Sequence, residues 1–211
     1  MRDLIIYGAG YSGVVKLVAA INRHRRTWNL LGFLDDTPGR EDESFMGIEI
    51  LGGRDRLASL ANGKACFINN VGSTTSARSK VTALLDAHGC ELAVLVHPGV
   101  DQEFTVIGRD VMIAEGAVLG PNVTIGDHCL IRLNATISHD CVFAENVFVV
   151  PGVMLCGHVK VGESAYLGAG CTIIQRISIG AGSVVGAGAV VSKDVSPGTT
   201  VVGPRAQKLE R

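Results

Sequence analysis

Aromatic residues make up only 5% of this 211-residue chain, too few for a core built from aromatic layers. Neither sign of charge is in excess. The 19 Lys and Arg face 20 Asp and Glu, and the basic residues form no stripe alternating with aromatics, which argues against a nucleic-acid partner. No apolar run approaches the roughly 20 residues that a membrane-spanning helix needs. Leu4-Ile5-Ile6-Tyr7 near the N-terminus is also too short for the apolar region of a signal peptide. No membrane partner and a cytoplasmic location are the expectation. The six cysteines, at 66, 90, 129, 141, 156 and 171, include no C-x-x-C pair. That spacing speaks against a disulfide framework or zinc ribbon and for free thiols. What the chain has in quantity is glycine, 27 residues, within a 47% hydrophobic composition. Frequent tight turns and small interior side chains follow, and repeats should be sought first.

Two halves with different periodicity emerge. Residues 1–97 read as alternating strand and helix, the pattern of a small Rossmann-like α/β domain with a parallel sheet. An apolar Leu4 to Tyr7 leads into a Gly-rich turn, a helix over Val14 to Arg23, and a strand from Leu30 to Leu34 ending in Asp35-Asp36. A strand at Ala65 to Ile68, a helix near Ala77 to His88 and a strand at Leu92 to Val96 continue it. His97-Pro98-Gly99 then punctuates the chain, and residues 98–211 form the second unit.

From Val106 to Val195 the sequence divides into fifteen uninterrupted hexads, beginning VIGRDV, MIAEGA, VLGPNV, TIGDHC. The second residue of each is apolar and the sixth is small or β-branched. This predicts a parallel β-helix in which each hexad is a short strand and a turn, and three hexads close one triangular coil. Five coils about 4.8 Å apart would bring residues eighteen apart into columns. Cys129, Cys141 and Cys171 fall at the inward sixth position and read as packed core thiols. Gly120, Gly126, Gly162, Gly168, Gly180 and Gly186, after the apolar residue, read as turn formers, with the coil corners at the third and fourth positions.

Functional groups would be mounted at those corners. His139 and Asp140 occupy one, in TISHDC. An imidazole can take the proton from an attacking amine or hydroxyl, and a neighbouring carboxylate can fix its tautomer. The eighteen-residue column places Asn122, Asp140, His158 and Arg176 together, and Pro121, His139, Gly157 and Gln175 in the next column. His128 falls on another side and reads as a surface residue.

The string ISHDCVFAENVFVVPGVMLCGHVKVGESAYLGAGCTIIQRISIGAGSVVGAGAVV resembles bacterial sugar O- and N-acetyltransferases of the sialic acid O-acetyltransferase type, including nucleotide-amino-sugar N-acetyltransferases. The likeness extends to the GAGYSG turn, Phe33-Leu34-Asp35-Asp36, the His97-Pro98 boundary and VVGP near Gly203. It implies that the β-helix is left-handed and that the protein is an acetyl-CoA-dependent homotrimer transferring acetyl, by direct attack, to the amino group of a nucleotide-linked amino sugar in bacterial surface-glycan biosynthesis. The cofactor would lie between adjacent β-helices. It also implies that His139 is the base and Asp140 the acid beside it. By the same resemblance Gly157, Ala169 and Ala187 contact acetyl-CoA, and Gly10, Tyr11, Ser12, Asp35, Asp36 and Asn69 contact the sugar nucleotide. No metal is expected. Many relatives carry a second His nine residues after the base that contacts the cofactor near its acetyl group, which places Phe148 of this chain at the cofactor; either His158 replaces that His from the next coil or the acetyl group is held without it. The segment NNVGSTTSAR is also longer than the family's Gly-Asn-Asn segment, and Gly10-Tyr11-Ser12 stands where relatives have Ser-Gly-His. Four other readings stay open. They are a hydroxyl acceptor, a non-catalytic scaffold trimer, a hexapeptide-repeat carbonic anhydrase, and a dinucleotide site suggested by Gly8, Gly10 and Gly13 followed by Asp35.

Overall fold

The computed structural model describes residues 1–40 and 43–204. Its first unit is a four-stranded parallel sheet of β1 (Arg2–Tyr7), β2 (Trp28–Leu34), β5 (Ala65–Asn69) and β6 (Glu91–Leu92), in the order β2-β1-β5-β6. The short β3 (Ser44–Phe45) and β4 (Ile48–Glu49) make a separate antiparallel pair. Leu4, Ile5, Ile6 and Tyr7 are all buried. Both faces of the sheet are covered, so β1 reads as a continuous apolar run instead of an alternation. Helix α1 (Gly13–His24) buries Val14, Leu17 and Val18 at helical spacing, and basic Arg23 and His24 in its last turn suit the negative end of its dipole. After the one-turn α2 (Leu57–Leu60), α3 (Thr75–Ala87) starts where the Thr74 hydroxyl accepts a hydrogen bond from Ala77 N–H at 3.0 Å.

One expected strand is in fact two. Glu91–Leu92 pairs with β5, whereas β7 (Leu95–Val96) joins the β-helix beside Met112–Ile113. The chain passes from one sheet to the other within three residues, with Ala93 N–H on Phe67 C=O at 2.8 Å and Leu95 N–H on Val111 C=O at 2.9 Å. A break is needed because a straight strand cannot lie in two sheets that face different layers.

The second unit is a parallel β-helix. Strands β8 to β22 are the first two residues of each hexad, from Val106–Ile107 to Val190–Val191, and β23 (Thr200–Val201) follows. Every pairing among β8 to β22 joins residues eighteen apart, as in Val118↔Thr136 and Thr136↔Met154, while β23 pairs with β21 at a separation of sixteen. Three flat faces result. Their outward first-position residues are Met112, Leu130, Phe148, Tyr166 and Val184 on one, Val118, Thr136, Met154, Thr172 and Val190 on the second, and Val106, Thr124, Val142, Lys160 and Ser178 on the third. The interior is filled by second and sixth positions in a single apolar column from Val100 to Val195.

The corners differ from expectation. Turns occupy the fourth and fifth positions of the hexad, not the third and fourth. The fifth residue is left-handed at every hexad from Asp110 (φ 53°) to Gly188 (φ 67°), Asp140 and His158 included. That explains why Asn, Asp, His and Gly dominate the position, since these side chains tolerate positive φ better than others. The third-position glycines are not turn formers by φ. A Cβ on Gly126 would lie 2.8 Å from the Ala144 backbone, and one on Gly168 2.5 Å from Val185 C=O. They are small because the next coil passes close by.

The two units are packed together. Met112, Leu130 and Phe148 from the first face share a buried cluster with Val14, Leu17 and Val18 of α1. No helix among the described residues is long and apolar enough to cross a membrane. The thiols are all free, five buried and Cys156 partly exposed. Burial pushes the Cys129 thiol up to about 12 and those of Cys90 and Cys171 to about 11. Iodoacetamide at pH 8 is therefore expected to label the folded protein at Cys156 alone and all six cysteines in denaturant. Rapid modification of Cys129 in the native state, read by mass spectrometry, would contradict this packing.

Candidate active site

One corner of the β-helix concentrates polar groups. His139 Nδ1 lies 2.6 Å from Asp140 Oδ2, and Asn122 one coil below donates from Nδ2 to Asp140 Oδ1 at 3.3 Å. His158, one coil above, brings Nε2 to 3.7 Å from Asp140 Oδ2, and the two imidazoles meet edge to face at 5.1 Å. The hydrogen bond from His139, followed by that from Asn122, holds the Asp140 carboxyl below the usual carboxylate range. An ionised Asp140 calls for a proton on Nδ1 of His139, which leaves Nε2 with its lone pair. The His139 ring lies over Gly157, where a Cβ would sit 2.6 Å from Nε2. Gly157 thus makes room for the ring, a role beyond the backbone contact expected of it. His139, Asp140 and His158 also bring one ligand atom each within 4.8 Å of one another, a set able to hold a divalent ion.

Ala169 and Ala187 are exposed and stacked, with Gly188 N–H on Ala169 C=O at 2.9 Å. They do not join His139. Their corner lies between the first and second faces, whereas His139 stands between the second and third. Phe148, expected near the cofactor, is elsewhere too. It is buried in the seam against α1 and Tyr166, because a first-position residue on the covered face points at the α/β unit and not at a corner.

The α/β unit has its own cavity of about 420 Å³ at the carboxyl ends of β1 and β5, lined by Gly8, Gly10, Tyr11, Asp35, Asn70, Val71, Gly72, Ser73 and Arg132. Gly10, Tyr11 and Asp35 are brought together as expected. Asp35 Oδ2 accepts from Ala9 N–H at 2.7 Å and Oδ1 from Thr37 N–H at 3.0 Å, so this acid fixes the glycine loop. That role, and a sheet of only four strands, disfavour the dinucleotide reading. Asp36 turns to Tyr7 OH at 2.7 Å and Arg54 Nη2 at 2.7 Å, on the far side of Asp35. Burial alone would raise both carboxyls, but hydrogen bonds from Thr37 and Ala9 to Asp35, and from Arg54 and Tyr7 to Asp36, hold them low. Ser12 precedes α1 and is exposed, with no side-chain cap.

Asn69 is a correction. It is fully buried, donating to Arg78 C=O at 3.0 Å and Thr82 Oγ1 at 3.1 Å, and its neighbour Asn70 faces the cavity instead. Consecutive residues at a strand end point to opposite sides, so Asn70, itself buried, is the one that lines the cavity. His128 is a second correction. It is buried, with Nδ1 3.1 Å from Asp110 Oδ2, inside a network in which Arg78 Nη2 reaches the same carboxylate at 2.9 Å. The packing of α3 over that corner removes it from solvent.

Comparison with known proteins agrees with this anatomy. Residues 3–84 match the PglD N-terminal domain, and residues 104–139 and 158–193 match the bacterial transferase hexapeptide (six repeats). No curated protein sequence matches the chain. Among solved structures, the chain is similar to the acetyltransferase domain of PglB from Neisseria gonorrhoeae FA1090 in complex with acetyl coenzyme A. That match has 31% identity over 99% of each chain and a TM-score of 0.88. It is also similar to a mutant perosamine N-acetyltransferase from Caulobacter crescentus in complex with CoA and GDP-perosamine, at 26% identity over 96% of this chain and 94% of that one, TM-score 0.86. WeeI from Acinetobacter baumannii AYE shares the fold at 23% identity, covering 96% of this chain and 97% of that one, TM-score 0.81. With its Rossmann-like α/β unit followed by a left-handed hexapeptide β-helix, the chain is an acyltransferase that belongs to the PglD-type family of hexapeptide-repeat sugar acetyltransferases.

Proposed function

We propose that the chain transfers the acetyl group of acetyl-CoA to the amino group of a nucleotide-linked amino sugar, by direct attack and with His139 as general base. The observation that carries the chemistry is the His139–Asp140 contact of 2.6 Å, which leaves Nε2 to accept the acceptor's proton. As the amine adds to the thioester carbonyl, its proton passes to Nε2, and the imidazolium, held by Asp140, returns it to the departing CoA thiolate. The choice of a nucleotide-linked amine is supported by the cavity beside the glycine loop and by the perosamine N-acetyltransferase relative, which binds CoA and GDP-perosamine.

The working form is a homotrimer. In one chain His139 and the Ala169–Ala187 pair stand on different edges of the prism. The face between those edges exposes Val118, Met154 and Val190, which a neighbour would cover. A three-fold ring sets the alanine edge of one chain against the His139 edge of the next, and acetyl-CoA lies between them. The cytoplasm suits free thiols and a charged donor and acceptor that do not cross membranes.

The test is CoA release from acetyl-CoA with UDP-, GDP- and dTDP-linked amino sugars and with free sialic acid. Turnover is expected with one nucleotide amino sugar, with the acetyl group on nitrogen in the product. Turnover with hydroxyl acceptors alone would replace this reading by O-acetylation.

A further inference from the structure

Arg132 occupies the third position of the hexad LIRLNA, and its backbone keeps the ladder, with N–H on Val149 C=O at 2.8 Å. Its side chain crosses the seam. The guanidinium carbon lies 4.0 Å from the centroid of the Tyr11 ring, and a Cβ on Gly72 would meet its Nη2 at 2.8 Å. Tyr11 and Gly72 follow β1 and β5, so a residue of the β-helix forms one wall of the α/β cavity. Arg2, Arg40, Arg54, Arg78 and Arg109 each pair with a carboxylate. Among the described residues no carboxylate does the same for Arg132. Burial lowers its pKa, opposed only by Tyr11. A partly buried cation without a counter-charge is unfavourable unless something else supplies the anion.

Two further features converge on the same cavity. Asn70 is 2% exposed and donates to Gly8 C=O at 2.8 Å and Tyr11 C=O at 3.1 Å, yet its Oδ1 has no partner. The twelve-residue α1 starts beside Tyr11 with no acidic residue in its first turn, so its positive end is uncompensated. A cation, a helix N-terminus and an open carbonyl acceptor together suit an anion that carries further hydrogen-bonding groups. A guanidinium lying over an aromatic ring keeps N–H donors free for binding a phosphate.

We propose that Arg132 reads the diphosphate of the nucleotide-linked acceptor, gripping it between its guanidinium and the N-terminus of α1. This rests on the nucleotide-sugar reading above. It also gives the β-helix a direct hold on a ligand bound in the other unit. Arg132 belongs to the coil edge that continues through Ala169 and Ala187, so the anchored diphosphate directs the sugar towards the edge where acetyl-CoA is placed.

Calorimetric titration of wild type, Arg132→Gln and Arg132→Lys with UDP, GDP and dTDP, with the matching nucleosides, and with free sialic acid tests this. Arg132→Gln is expected to weaken the preferred nucleoside diphosphate about tenfold or more, with partial recovery in Arg132→Lys and no change for the nucleoside or acetyl-CoA. Equal diphosphate affinity in wild type and Arg132→Gln would overturn the role of Arg132 alone. So would an equal loss of nucleoside affinity, which would mark collapse of the Tyr11 wall. A wild type that binds no nucleoside diphosphate, with or without sialic acid binding, would overturn the nucleotide-sugar reading and this proposal with it.

Discussion

His139→Ala is expected to lower kcat for CoA release about a thousandfold while leaving the KM for acetyl-CoA and the melting temperature near wild type. The size follows from what a positioned base contributes to proton transfer, roughly 10²–10⁴ in rate. The unchanged stability follows from the site of the ring, which is half-exposed at a corner and fills no core. Asp140→Asn should act in the same direction and less strongly, because it alters the group facing Nδ1 and not Nε2. Gly157→Ala supplies an independent arm. It leaves both polar groups in place but puts a methyl 2.6 Å from Nε2, so its loss of activity would come from displacement of the ring. His139→Ala activity within tenfold of wild type would remove His139 from the chemistry.

The largest effect on stability is expected at Arg78, far from that corner. Its guanidinium is fully buried and donates from Nε to His128 C=O at 2.8 Å, from Nη2 to Asp110 C=O at 2.8 Å and Oδ2 at 2.9 Å, and from Nη1 to Asn69 C=O. Arg78→Met would leave the Asp110 carboxylate buried without its main partner, which costs about 3–5 kcal/mol. For a chain of this size that is a drop of about 6–20 °C in Tm. The contrast is Arg109, which pairs with Asp86 at 2.6 Å and Asp127 at 3.1 Å with all three side chains partly exposed. Arg109→Met should cost no more than about 1 kcal/mol. Equal shifts in the two melting curves would mean that the buried network does not hold the α/β unit to the β-helix.

The β-helix was legible because its constraint repeats. A side chain such as Ile131 or Cys129 has the same environment at every coil, so fifteen hexads vote on one register, and the eighteen-residue column by itself places His139, Asp140 and His158 together. The seam was not legible, for the opposite reason. Met112, Leu130 and Phe148 stand at outward positions, and only the packing of α1 makes that face an interior one. Phe148 therefore invited a functional explanation when it is a packing residue. Asp110 and His128 share an eighteen-residue column, but Arg78, which joins them, lies 32 residues before Asp110 and outside the repeat. A charged residue in the first turn of α3 reads as solvated until the neighbouring unit covers it. Asn69 and Asn70 differ only in which side of a strand end they take, a distinction that composition cannot make. The left-handed fifth position did leave a signal in its Asn, Asp, His and Gly content, and a count by column would have found it.

The coil geometry makes chain length a discrete variable for evolution. Inserting six residues at a corner adds one strand and one turn and preserves the apolar interior, so the scaffold would accept it. The same insertion before His139 rotates that residue and all that follows by one edge of the prism relative to the α/β unit, changing how the His139 corner stands to the cavity beside the glycine loop. Only an eighteen-residue insertion restores the edge, and it does so one storey higher. Duplication in this architecture is therefore neutral for folding at every sixth residue but neutral for orientation of the chemistry at every eighteenth, which leaves whole-coil gain or loss as the route by which such chains can change height while keeping every corner on its own edge.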